Sequence, residues 1–189
     1  MVPLTSLGVP ILVAAVLVFV VSAIIHMVLP YHKADMRKLP DPQEDEILDA
    51  IRRLNLPPGD YGLPHPGSYD RMKDPAFIAR MTKGPLVLMN VAPGSPPSMG
   101  ASLMLWFVHI VIVTVFSAYL ASRAVQPGAD YLTVFRFVGT PAFMGYSLAA
   151  LHESIWYRRS WVRTSKSVFD GLVYALLTAG VFGWLWTGR

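Results

Sequence analysis

Four apolar stretches, each about 20 residues long, constrain this chain more than any other feature, because a helix of that length spans the hydrocarbon core of a bilayer. They cover 9–29, 101–122, 131–151 and 168–187. At ~1.5 Å of rise per residue each makes a rod of about 30 Å. Four such rods would bury a large core in a soluble protein, and the polar sequence left over is too short to cover one. Composition agrees, since 53% of the 189 residues are hydrophobic and 15% are charged, against about 25% charged in soluble domains. The sequence therefore predicts an all-α membrane protein with four transmembrane helices and a polar, partly helical segment of roughly 70 residues between the first two. The expected divisions are 1–29, 30–100 and 101–189.

Residues 1–7 contain no Lys or Arg, and the apolar run after them is longer than a signal peptide's, so an uncleaved first helix is expected. Absence of cysteine excludes disulfides, thiolate metal sites and covalent c-type haem. The net charge of +4 is spread over loops rather than along one stripe, which argues against nucleic-acid binding.

Successive spans alternate in direction. Residues 30–100 and 152–167 then share one side, and both termini share the other with 123–130. The first side carries Lys33, Arg37, Lys38, Arg158, Arg159, Arg163 and Lys166 near helix ends, and the second carries Arg123 and Arg189. The positive-inside rule makes the first side cytoplasmic, in a membrane expected to be the bacterial cytoplasmic membrane. Arg136, just inside the third span, is expected to snorkel to headgroups. The stretch Trp156–Tyr157–Arg158–Arg159–Ser160–Trp161, with Arg163 and Lys166 beyond it, interleaves bases and aromatic rings as a contact for anionic lipid headgroups would.

In the fourth span Gly171, Ala175, Ala179 and Gly183 recur every four residues. Small residues at that spacing let helix backbones approach closely in lipid, so this stripe is the expected packing face. In the polar segment, Asp41 as N-cap, Pro42 and Glu44 open an amphipathic helix near 42–55, with Ile47, Leu48, Ile51 and Leu54 on one face. A second short helix near 75–83 follows Asp74–Pro75. Residues 56–67 are rich in Pro and Gly and should be extended, and 86–91 can form a strand.

Ionisable groups are costly at membrane depth and so are candidates for function. His26, His109, His152 and Asp170 fall in the same half of the bilayer on four different helices. Imidazole and carboxylate at similar depth can bind a metal, ligate a haem or relay protons. The sequence contains no nucleotide-binding glycine pattern and no zinc-protease motif, and offers no catalytic set. The leading expectation is a non-enzymatic integral membrane protein acting as an accessory or structural subunit. It would meet membrane lipid directly and protein partners through 30–100 and the fourth span. A small metal- or haem-binding redox or proton-relay protein is the alternative, and a transporter component is third.

Overall fold

The computed structural model describes residues 1–96 and 98–187; Pro97, Gly188 and the Arg189 counted above lie outside the described residues. The chain contains four helices long and apolar enough to cross a membrane, Leu4–Val28, Met99–Ala124, Tyr131–Tyr157 and Trp161–Leu185. Two compact units are present, one made of residues 1–36 and 97–189 and the other of 37–96.

In the first unit, α1 (Gly8–Ala23) continues through a widened π-helical turn, Ile24–Val28. In the second unit come α2 (Asp41–Leu54), β1 (Gly59–Leu63), α3 (Pro75–Lys83) and β2 (Val87–Val91). The remaining spans are α4 (Met99–Ala124), α5 (Tyr131–Phe143) continuing through a π-helical turn into α6 (Ala149–Tyr157), and α7 (Trp161–Leu185).

Around the bundle, α1 packs against α4 and α7, and α5 packs against the same two helices. Helix directions alternate. The start of the first span meets the end of the second where Val2 N–H donates to Ser122 O at 3.0 Å, and its far half meets the start of the second where Trp106 Nε1 donates to Ser22 Oγ at 2.9 Å. Caps fix the helix starts: Ser98 Oγ accepts from Ala101 N–H, and Asp130 Oδ1 accepts from Thr133 N–H at 3.0 Å.

The small-residue stripe faces the third span. Ala175 and Ala179 are buried, and a Cβ built on Gly139 of α5 would come within 3.0 Å of the Ala179 methyl. A Cβ on Gly171 would meet the Tyr146 backbone at 3.1 Å and run into Ser147 Oγ. The third span itself is interrupted. Pro141 cannot donate a backbone hydrogen bond, and the π-helical turn Met144–Leu148 follows it, as expected where the helical ladder loses a donor.

Two boundaries differ from the hydropathy pattern. The third span extends helically to Tyr157 and the fourth begins at Trp161, so the expected 152–167 loop contracts to residues 158–160. Hydropathy marks where lipid begins, whereas Arg163 and Lys166 are good helix formers that carry α7 beyond the apolar stretch.

In the 37–96 unit, Asp41 lies inside α2 rather than capping it, because the Pro40 carbonyl takes up Gln43 N–H and Glu44 N–H, each at 3.0 Å. The helix ends at Asn55, whose left-handed backbone (φ 46°) suits asparagine. Part of the Pro/Gly-rich stretch is ordered as β1, which pairs antiparallel with β2 from Gly59↔Val91 to Leu63↔Val87. Phe77 is this unit's one buried apolar side chain among the described residues.

A candidate metal centre in a ring of charges

The first span ends in a way that turns the chain back over the bundle. The π-helical turn closes with Leu29 N–H donating to Ile24 O, and Leu29 is extended, the conformation a following proline imposes. Pro30 then starts a short 3₁₀ turn through His32. This places Tyr31, His32 and Asp35 beside the opening turns of α7, where Lys166 and Asp170 lie one turn apart on the same face.

These five residues form a closed cycle of polar contacts. Lys166 Nζ donates to Asp35 Oδ1 at 2.6 Å and to the Tyr31 carbonyl at 2.5 Å. Asp35 Oδ2 lies 2.6 Å from His32 Nδ1, and His32 Nε2 lies 2.9 Å from Asp170 Oδ2. The Tyr31 hydroxyl donates to the remaining oxygen, Asp170 Oδ1. Asp170 is 3% exposed, and a carboxylate so deeply placed is tolerated only when its oxygens are satisfied. Both of its oxygens are.

The electrostatics follow from the contacts. Burial alone would push the Asp35 carboxyl up, but hydrogen bonds from Lys166 and His32, with the charges they carry, outweigh it and hold the group below the ordinary carboxylate value. Burial, the hydrogen bond to Asp170 and that residue's charge all push the Tyr31 phenol well above the ordinary tyrosine range, so Tyr31 stays a donor. Both nitrogens of His32 face carboxylate oxygens, Nδ1 that of Asp35 and Nε2 that of Asp170.

His26, in the π-helical turn, sits against this ring with its imidazole 4.5 Å from that of His32, edge to face. His26, His32 and Asp170 each offer one ligand atom, and these atoms lie within 4.8 Å of one another. They can hold a metal ion. A haem gripped between two histidines needs the thickness of its macrocycle between the rings, and the His26–His32 contact leaves no such space.

Of the four metal-ligating candidates in the sequence, the structure brings together His26 and Asp170. His109 instead stacks on Trp106 with ring centroids 5.3 Å apart, and His152 lies 5.9 Å from the Tyr157 ring; neither joins the group. Lys166, expected at the headgroups, points to Asp35 and Tyr31, whereas Arg158 and Arg163 are exposed and Arg159 lies 3.8 Å from Glu153. Sequence reasoning missed His32 and Asp35. Their i, i+3 spacing just past a proline is the one mark they carry in the sequence, and it does not point to Asp170.

Comparison with protein-family models, with curated proteins and with solved structures gives no match to this chain.

Proposed function

We propose that the chain is a non-enzymatic integral membrane protein that works as an accessory subunit of a larger membrane assembly, with α2 as its docking element. The observation that carries this reading is the apolar face of α2, where Ile47, Leu48 and Leu54 are 48%, 40% and 66% exposed. An amphipathic helix with an uncovered face docks either in a groove of another protein or on the bilayer surface. Charge favours the protein. The helix carries five acidic residues against Arg52 and Arg53, and surface-lying helices rely on basic residues to reach anionic lipid. The partner is therefore an apolar groove with a basic rim.

In this reading the 30–100 segment and the 158–160 turn face the cytoplasm and both termini face away. Arg158, Arg159 and Arg163 at that end, against Arg123 at the other, support the orientation. In intact cells a membrane-impermeant thiol reagent should label a cysteine at Thr5 and spare one at Ser160; the reverse pattern would invert the topology.

The subunit reading is tested on native membranes solubilised in mild detergent. On a native gel the chain should migrate with larger proteins, and Leu48→Asp should release it while leaving the bundle's melting temperature unchanged. Migration of the wild-type chain alone would remove the reading.

A further inference from the structure

We infer that His26, His32 and Asp170 form a binding site for a divalent first-row transition ion, zinc or iron(II), where the first and fourth spans meet the membrane boundary. The inference stands independently of the subunit reading. Its donor set is two imidazoles and one carboxylate, which suits zinc and iron and is a poor match for magnesium or calcium, whose ligands are oxygens. Three protein ligands leave a further position open, as in catalytic zinc sites and in iron(II) sites with two histidines and one carboxylate.

The surroundings are those of a built site. A histidine that binds metal through one nitrogen usually donates from the other to a carboxylate, which fixes the ring and strengthens it as a ligand. His32 has that arrangement: Nδ1 lies 2.6 Å from Asp35, which Lys166 holds in turn at 2.6 Å, and Nε2 points to the ligand group. Asp170 is oriented the same way, with Tyr31 on one oxygen and the other directed to the site. His26 has no hydrogen-bond partner among the described residues, so its nitrogens are uncommitted. One turn along α7 from Asp170, the Tyr174 hydroxyl is buried without a hydrogen-bond partner among the described residues. Metal–nitrogen and metal–oxygen bonds of about 2.0–2.2 Å require the ligand atoms, now within 4.8 Å of one another, to draw together. Rotation of the exposed His26 ring supplies that movement.

On binding, His32 Nε2 gives up its proton to solvent and donates its lone pair to the metal, while Asp170 Oδ2 exchanges a hydrogen bond for a metal bond. Without the metal, the Lys166 ammonium stands against two carboxylates, Asp35 and Asp170. After proton loss the ring carries one net negative charge, which the dication meets.

The test uses the full chain in detergent micelles, with cobalt(II) as a coloured probe displaced by zinc. The expected result is saturable binding of one ion per chain with visible ligand-field bands. His26→Ala should weaken it by roughly 100-fold or more, as loss of a direct ligand exceeds the 10–100-fold typical of a supporting residue. Because His26 lies outside the hydrogen-bonded ring, the metal-free melting temperature of His26→Ala should match wild type, which separates loss of a ligand from loss of fold. His109→Ala and His152→Ala should bind as wild type does. Failure of the wild type to bind one ion, unchanged affinity in His26→Ala, or loss of binding in His109→Ala would each overturn the assignment.

Discussion

At the end of the bundle that holds the first residues of the chain, the helices are closed by Leu7, Val125, Phe182 and Trp186, all buried, and by three hydrogen bonds to backbone carbonyls. Those bonds join Val2 to Ser122, Gly128 to Thr187 and the Trp186 indole to Gln126, at 2.9–3.0 Å. At the opposite end the first and fourth spans are joined by Tyr31, His32, Asp35, Lys166 and Asp170. The first closure consists of groups a membrane protein buries at little cost. The second costs a great deal unless every charge is met, and the ring meets each one. An apolar end can exchange one side chain for another of similar volume. A ring of matched charges cannot lose a member without stranding its neighbours.

The largest expected difference between the ends comes from the two glycines that terminate the small-residue stripe. A Cβ at Gly171 meets the Tyr146 backbone within the π-helical turn, which has little freedom to yield, whereas a Cβ at Gly183 meets the Tyr131 ring at 2.6 Å, and a half-buried ring can swing aside. Gly171→Ala should therefore lower stability in detergent by about 1–3 kcal/mol, the usual cost of overpacking, and Gly183→Ala by less. Thermal unfolding of the two variants checks this. Equal losses would mean that the two ends tolerate close packing alike.

The contrast between the ends also explains what could be read in the sequence. Hydropathy located the four spans, because membrane thickness imposes one length on each, and Gly171, Ala175, Ala179 and Gly183 stood out by their spacing. Asp170 and His26 stood out because a polar group at membrane depth demands a reason. His32 and Asp35 did not, because they follow Pro30 in sequence that reads as an extramembrane loop, where polar residues are ordinary. Only the π-helical turn at Ile24–Val28 and the 3₁₀ turn after it carry them back to α7, and neither turn has a composition that announces it. His109 was singled out for its depth, but depth does not say which way a side chain faces, and its ring is exposed beside Trp106.

A closed cycle of contacts should make the polar end one coupled unit rather than five separate interfacial residues. A double-mutant cycle between Asp35 and Lys166, whose side chains are 13% and 22% exposed and meet at 2.6 Å, tests it most directly. Asp35→Asn, Lys166→Met and the pair are unfolded in the same detergent, in metal-free buffer. The two losses should not be additive, with a coupling energy of about 1 kcal/mol or more, since each single variant leaves the other charge partly buried and unmatched. Losses that add within about 0.3–0.5 kcal/mol would show that the two residues act separately, and would contradict the ring as a unit.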